Sequence, residues 1–284
     1  ISRDRFGIKP LYYYLSAEKL IIASEIKSIL KYNDIDTSPN IEYLKNYIKL
    51  GGQEHIKETA FTNIYRFEYA CFIESTISQI SKSGINEVRY WKIKPNLSNE
   101  EYNEAKAVRI AKNYTNLLSD ACKIRLRANV SVGAALSGGL DSSSIVYFIN
   151  SVLEKKDSKN MLESFSCIYN NKNEIDESDY IDLLSSHLKV NSNRIEPDIE
   201  TIKNDYERMI YILDNPPDDS NMSGWHVFKL VKEKDVTVNL DGQGADEQQA
   251  GYLDYIINYL CYVPLRKLFS EYKKIKNVQG SHIY

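Results

Sequence analysis

The chain has 284 residues, enough for one large domain or two medium ones, and we expect two. Its 36 basic and 39 acidic residues give a formal net charge of -3, without a run of like charge that would favour nucleic acid or an anionic membrane. No stretch approaches the roughly 18 consecutive apolar residues that span a bilayer, and the four scattered cysteines form no CxxC pair. We therefore expect a cytoplasmic protein with small-molecule partners, no nucleic-acid partner and no membrane partner; a homodimer stays open.

The first 95 residues have the pattern of an α+β layer. They contain the strand-like runs PLYYYL, KLIIAS and ACFIES and two short helical patterns, SEIKSILKY and IEYLKNYIKL. The strand pattern starts almost at Ile1, as though a domain were already under way, so we expect a fragment of a longer protein. The polar stretch WKIKPNLSNEEYNE is typical of a linker and predicts a domain boundary between residues 95 and 101.

From residue 101 to the end at 284, helices and strands alternate. A long helix, EAKAVRIAKNYTNLLSDACKIRLR, places a wide apolar stripe on one face, including Ile110, Tyr114 and Leu117. Strands are predicted at VSVGAAL, SFSCIY, NRIE and DVTVNL, with helices between them, one of which begins near Asp198 with Ile199 and Met209 on its inner side. This order predicts an α/β domain with a parallel sheet that is covered on both faces.

Two glycine-rich loops follow strands of this sheet and lead into helices. They are SGGLDSSS after VGAAL and DGQGADEQQAGY after VTVNL. Ligands of open parallel sheets bind beyond the carboxyl ends of the strands, where both loops are expected. Gly138 and Gly139 would let the backbone approach a phosphate, and Asp141 would bind Mg²⁺ that bridges phosphate oxygens. The alternative is an ordinary strand-to-helix turn.

The second loop carries Gly242 and Gly244, followed by Asp246 and Glu247 at the start of a helix. These two acids could simply stabilise that helix N-terminus. We predict instead that Asp141 and Asp246 together form a metal site, since Mg²⁺ needs only one or two carboxylates besides phosphates and water.

Four motifs in order resemble the glutamine-hydrolysing asparagine synthetases. LSGGLDSSS resembles the phosphate loop of the ATP-pyrophosphatase (PP-loop, adenine nucleotide alpha-hydrolase-like) type, and LDGQGADEQQAGY resembles the second signature of that family. RDRFGIKPLYY with ASEIKSIL resembles the end of its glutaminase domain, and RYWKIKP its junction. The resemblance implies that residues 1–95 are the C-terminal part of an N-terminal-nucleophile glutaminase (class II glutamine amidotransferase) domain. It implies that residues 101–284 are an incomplete ATP-binding domain.

The resemblance further implies an ATP-dependent, Mg²⁺-dependent ligase that joins ammonia from glutamine to aspartate through an acyl-adenylate, releasing AMP and pyrophosphate. By the same resemblance Asp141 and Asp246 would hold the metal. The residues implied to contact the nucleotide are Leu136, Ser137, Gly138, Gly139, Leu140, Asp141, Ser142, Ser143, Cys167, Ile168, Asp241, Gly242 and Gly244.

The second signature departs from the family pattern at two positions. Asp241 stands where the family usually has serine, and Gln243 stands where it has the glutamate that helps to deprotonate ammonia. The resemblance gives Gln243 and its neighbour Glu247 as the catalytic candidates. Because a glutamine amide cannot accept a proton at neutral pH, either Glu247 substitutes as the base or the natural acceptor is not aspartate. The family's N-terminal cysteine nucleophile and its C-terminal lysine would lie outside this chain. Two alternatives stay open: a ligase for another carboxylate, on a peptide or a sugar, and a nucleotide-binding pseudoenzyme.

Overall fold

The computed structural model describes residues 1–52, 55–94, 103–155, 161–169, 176–217, 221–249 and 251–279. The contacts divide the chain into two compact units, one of Ile1–Tyr102 with Pro197–Trp225 and one of Asn103–Glu196 with His226–Tyr284. The predicted boundary at residues 95–101 lies outside the described residues. Residues 197–225, which the sequence groups with the ATP-binding domain, make their contacts with the first unit.

Short strands and helices build the first unit. Up to residue 94 its elements are β1 Tyr12–Leu15, β2 Leu20–Ala23, α1 Ile26–Leu30, α2 Ile41–Leu50, β3 Ile64–Arg66, β4 Cys71–Phe72, α3 Ile77–Ser83 and β5 Val88–Arg89. β2, β1 and β3 form an antiparallel sheet in that order, and β4 pairs with β5. The helix α3 was not predicted, although Thr76 and Gln79 have the capping-box spacing that is typical of a helix N-terminus, and they form that capping box in the structure.

Alternating strands and helices make up the rest of the chain. They are α4 Glu104–Arg125, β6 Val132–Ala135, α5 Leu140–Lys155, β7 Glu163–Cys167, α6 Ser178–Leu188, β8 Asn191–Ile195, α7 Ile199–Leu213, α8 Asn221–Glu233, β9 Val238–Leu240, α9 Ala245–Gln249, α10 Leu253–Tyr262 and α11 Leu265–Gln279. The four strands pair in parallel in the order β8-β7-β6-β9, so the predicted parallel sheet is confirmed. Across the described ranges, none of the helices has the length and apolar character that crossing a bilayer requires.

Apolar side chains cover both faces of this sheet. On one face the strands and α5 bury Ala134, Val146 and Ile149 completely. On the other face Phe165 packs against Leu230 of α8. Full burial of a side chain such as Val146 or Ile149 contributes about 1.5–3 kcal/mol, so these layers fix α5 and β6 firmly relative to each other.

The apolar stripes predicted on two helices are buried only in part. On α4 the side chains of Ile110 and Leu117 are 54% and 71% exposed, and Cys122 is the buried position of that helix. On α7 Met209 is buried as expected, but Ile199 is 70% exposed. Periodicity identified both helices correctly; it could not specify which part of each apolar stripe meets a neighbouring layer.

Residues 212–217, at the end of α7, are held by side chains of α1 and α2 within the first unit. The ammonium of Lys27 donates hydrogen bonds to Asp214 Oδ2 at 3.0 Å and to the Ile212 carbonyl at 2.9 Å. The hydroxyl of Tyr43 donates to Asn215 Oδ1 at 2.9 Å, and that of Tyr47 donates to the Pro217 carbonyl. These contacts explain why this segment groups with residues far earlier in the chain.

Candidate active site

The two glycine-rich loops lie side by side at the point where the sheet order reverses. After β6 the chain moves to β7 and β8 on one side, and it returns to the other side of β6 as β9. The paired strands β6 and β9 are parallel, with Ala134 opposite Leu240, so the loops that follow them leave from the same edge. Such a switch point opens a crevice that binds ligands in α/β sheets.

Serine hydroxyls tie the first loop to the start of α5. Ser142 is buried, and its Oγ accepts a hydrogen bond from the Ser137 amide at 3.1 Å and lies 3.0 Å from Ser137 Oγ. Ser143 Oγ donates to the Gly139 carbonyl at 2.5 Å. Gly138 has a φ of 91°, which a residue with a side chain adopts only under strain. The hydrogen bonds of the Ser142 and Ser143 hydroxyls thus fix the conformation of the loop.

The second loop packs directly against the first at Gly242. An ideal Cβ on Gly242 would lie 3.0 Å from the Ser142 amide nitrogen and 3.1 Å from Asp141 Cβ. Within the loop, the backbone amide of Gln243 donates a hydrogen bond to Asp241 Oδ1 at 3.2 Å, and the backbone amide of Ala245 donates to the Gly242 carbonyl at 3.2 Å. A side chain at position 242 would separate the loops, so glycine here permits their close approach.

This packing concentrates negative charge around Asp141. Burial raises the pKa of the Asp141 carboxyl, and repulsion from Asp246 and then Glu247 raises it further. Carboxylate oxygens are hard ligands, and a cation placed among them would relieve this repulsion. The described residues contain no cluster of three or more metal-ligating side chains. Mg²⁺ needs only one or two carboxylates besides phosphates and water, so Asp141 and Asp246 could supply its protein ligands.

The two predicted catalytic positions differ in their surroundings. Gln243 is exposed, and its backbone amide is the group that contacts Asp241. Glu247 is also exposed, and its Oε1 accepts a hydrogen bond from the Tyr252 hydroxyl at 3.2 Å. This hydrogen bond to Glu247 raises the pKa of the tyrosine. Glu247 is thus an oriented carboxylate close to Asp141.

The remaining predicted nucleotide contacts lie at the same edge of the sheet. Leu136 follows β6, and its backbone amide donates a hydrogen bond to the Phe165 carbonyl. The Leu136 carbonyl accepts a hydrogen bond from the Ser166 hydroxyl, which leaves the second lone pair of that carbonyl for a ligand. Cys167 is the last residue of β7, and burial raises the pKa of its thiol. The backbone amide of the next residue, Ile168, donates a hydrogen bond to the Ile195 carbonyl. Leu140 points its side chain to solvent, at 83% exposure.

Two residues beside the first loop were not predicted. An ideal Cβ on Gly138 would lie 3.0 Å from Tyr180 Cβ and 3.2 Å from Glu177 Cβ, so the start of α6 forms a wall of the loop. Burial raises the pKa of the Glu177 carboxyl. The sequence signal here is the acidic run DESDY, which suits a helix N-terminus but does not by itself indicate contact with the loop.

A parallel sheet with two adjoining glycine-rich, acidic loops at its switch point defines a phosphate-loop α/β protein. The Asparagine synthase family profile matches residues 113–272, more than half of the chain, and the Glutamine amidotransferase domain profile matches residues 1–91. The chain therefore belongs to the asparagine synthase family.

Several curated relatives share this similarity. A Methanocaldococcus jannaschii protein with the provisional name asparagine synthetase (glutamine-hydrolyzing) 2 is 33% identical over 91% of this chain and 48% of its own length. Asparagine synthetase (glutamine-hydrolyzing) 2 of Bacillus subtilis is 28% identical over 89% of this chain and 34% of its own length. Amidase chyE of Penicillium rubens is 27% identical over 88% of this chain and 37% of its own length. The chain thus spans about half or less of the length of these relatives.

Proposed function

We propose that the protein is an ATP-dependent amide-forming ligase that makes asparagine from aspartate and glutamine-derived ammonia. The observation that carries this proposal is the packing of Gly242 against Asp141, because it joins two acidic glycine-rich loops at the sheet's switch point. Membership of the asparagine synthase family supports it. The proposed small-molecule substrates are ATP, a carboxylate acceptor and glutamine or ammonia.

The proposed reaction has two steps. An oxygen of the acceptor carboxylate attacks the α-phosphorus of ATP, the bond from that phosphorus to the bridging oxygen breaks, and pyrophosphate leaves. Ammonia then attacks the acyl carbon, AMP leaves with the former carboxylate oxygen, and a base removes a proton from the nitrogen. Residues Ser137 to Ser143 would hold the departing pyrophosphate by backbone amides and the α5 N-terminus.

Asp141 and Asp246 would hold the Mg²⁺ that accompanies ATP in this family. Bound there, the ion would supply positive charge that stabilises the leaving pyrophosphate. Asp241, Gly242 and Gly244 would shape the other wall of the pocket, while Leu136 and Cys167 or Ile168 would line the nucleotide side. These assignments rest on the loop geometry and on the family motifs.

Glu247 is the proposed proton acceptor for the second step. It is a carboxylate oriented by Tyr252, whereas the Gln243 amide cannot accept a proton at neutral pH. The glutamine amidotransferase profile matches residues 1–91. This match supports the proposal that residues 1–95 are the C-terminal part of a glutaminase domain that supplies ammonia.

The test is product analysis of the full-length protein by mass spectrometry, with ATP, Mg²⁺, aspartate and either glutamine or an ammonium salt. We expect AMP, pyrophosphate and asparagine in equal amounts, and no product with Asp141→Asn. ATP cleavage to ADP, or no cleavage with any carboxylate acceptor, would contradict the proposal.

A second candidate function is amidation of a different carboxylate. It is favoured by Gln243 in the second signature and by the relative named Amidase chyE, whose name gives no aspartate substrate. Competition among carboxylates would distinguish the two, because only the true acceptor supports AMP release. The remaining alternative, a pseudoenzyme, predicts saturable ATP binding without pyrophosphate release, unchanged by Gln243→Glu.

A further inference from the structure

Gly251 lies against the carboxylate of Asp246. An ideal Cβ on Gly251 would overlap Asp246 Oδ1, and it would lie 2.8 Å from the Cγ and 3.1 Å from the Cβ of that residue. The Gly251 amide also donates a hydrogen bond to the Asp246 carbonyl at 2.9 Å. The backbone of one residue therefore touches the side chain of the other with no room for a methyl group.

Backbone conformation does not explain glycine at this position. Gly138 and Gly244 have positive φ values, of 91° and 92°, but Gly251 is not among the described residues with positive φ. An alanine could adopt its backbone angles without the strain of the left-handed region. The requirement for glycine comes from the space taken by Asp246.

A methyl group at position 251 would act mainly on the Asp246 carboxylate. The carboxylate could turn to another rotamer, but the contact with Asp246 Cβ depends on the backbone and would persist. The whole carboxylate would then lie away from its present position near Asp141, whose pKa it raises. A ligand group needs to be held within about 0.5 Å of the productive geometry, and a rotamer change moves it further than that.

We propose that Gly251 is a positioning residue that holds the Asp246 carboxylate beside Asp141 for binding of a divalent cation. The inference rests on the proposed function, in which these two acids bind the ion that accompanies ATP. Gly251 acts through Asp246, since the three atoms nearest to an ideal Cβ on Gly251 all belong to that residue and glycine has no side chain to bind an ion.

The experiment measures Mn²⁺ binding to the full-length protein by electron paramagnetic resonance, with a non-hydrolysable ATP analogue present. The variants are Gly251→Ala, Asp246→Asn and the double variant. The control is Gly224→Ala, because a Cβ on Gly224 in α8 would meet no atom within 4 Å. We expect Gly251→Ala to weaken Mn²⁺ binding about tenfold, to have no further effect in the Asp246→Asn background, and the control to match the wild type.

Three results would overturn the inference in distinguishable ways. Wild-type affinity of Gly251→Ala for Mn²⁺ would contradict it while leaving the proposed function intact. Equal losses from Gly251→Ala with and without the Asp246→Asn substitution would assign Gly251 a purely structural role. If the wild type binds no Mn²⁺ with the analogue, the metal site of the proposed function fails and Gly251 has no ion to position.

Discussion

Asp141 lies near two other acids, and both its burial and their charge raise its pKa above 3.8. In the absence of a cation this arrangement costs folding free energy, because the folded protein disfavours the ionised form that the unfolded chain accepts. Such a cost is expected where a group serves binding instead of stability. This cost agrees with the proposed role of Asp141 as a ligand of Mg²⁺.

The first prediction concerns Asp141→Asn. The folded protein binds the Asp141 proton more tightly than the unfolded chain does. The wild type therefore loses stability as pH rises from the ordinary aspartate pKa of 3.8 in the unfolded chain through the raised pKa of the folded protein. Without divalent ions the variant should therefore be more stable than the wild type at neutral pH, and the difference should shrink at low pH. Urea unfolding at several pH values measures this difference.

The matched control for this experiment is Asp120→Asn, at an exposed position on α4. It removes the same charge outside the acidic loops, so its stability should differ from the wild type by no more than about 0.5 kcal/mol at any pH. A destabilised Asp141→Asn variant at neutral pH would show that the carboxylate is stabilising and would contradict the repulsion inferred here.

At the scale of elements, glycines allow close packing that the strand and loop patterns do not reveal. Gly133 in β6 is one case, because its Cβ would lie 2.6 Å from the Phe165 ring and 3.0 Å from the Glu163 carbonyl. Gly242 is the other, because it allows the β9 loop to reach Asp141. Both the strand and the loop were predicted from the sequence. The sequence pattern does not show, however, that either position requires glycine for packing.

The second prediction is that Gly133→Ala destabilises the sheet. The added methyl group must displace the Phe165 ring or spread β6 from β7, at a cost of about 1–3 kcal/mol. Gly224→Ala should instead be neutral or stabilise by up to about 1 kcal/mol, since it lies in a helix with open space around it. Chemical unfolding of both variants checks this; equal stabilities would refute the packing argument.

The third prediction is that Gly242→Ala impairs catalysis more than folding. The methyl group would push the second loop from Asp141 and Ser142, and we expect AMP formation to fall on the order of a hundredfold while the free energy of unfolding changes by about 1 kcal/mol or less. Steady-state kinetics with ATP and the acceptor, beside thermal unfolding, separates the two effects. Unchanged kinetics would mean that the loops need not touch.

At the scale of the whole molecule, residues far apart in sequence form the first unit. Lys27 and Asp214 are separated by 187 positions, yet their charged atoms lie 3.0 Å apart, with side chains 19% and 7% exposed. Burial disfavours the Lys27 ammonium, but its hydrogen bonds and attraction to Asp214 and Glu25 outweigh this and raise its pKa. The Lys27 ammonium therefore stays protonated throughout the neutral range.

The fourth prediction is that Lys27→Met destabilises the protein by about 2 kcal/mol or more, because it leaves the carboxylate of Asp214 buried without its cation. The double variant with Asp214→Asn should recover much of the loss, since asparagine tolerates the left-handed φ of 57° at this position. A double-mutant cycle by chemical unfolding measures the coupling.

The control for this cycle is the exposed pair Lys203 and Glu200, whose side chains are 67% and 77% exposed. Lys203→Met should change stability by about 0.5 kcal/mol or less because water screens that pair. If Lys27→Met is as mild as Lys203→Met, the salt bridge does not hold the end of α7.

Three features were predictable from the sequence: the alternation of strands and helices after residue 101, the order of the two acidic loops, and the family they indicate. These features depend on local periodicity and on glycine and aspartate at fixed spacings, which are readable along the chain. The sequence also located α7, whose N-cap Asp198 accepts from Thr201 at the expected start.

Which of these features meet in space depends on tertiary packing. The strand order β8-β7-β6-β9 brings loops about a hundred positions apart to one edge, and the pairing of Asp246 with Gly251 and of Gly138 with Glu177 depends on backbone distances of a few ångströms. The attachment of residues 212–217 to α1 and α2 likewise arises from pairing between distant segments. Periodicity reports the face that a side chain occupies on its own element, whereas packing decides which element it faces.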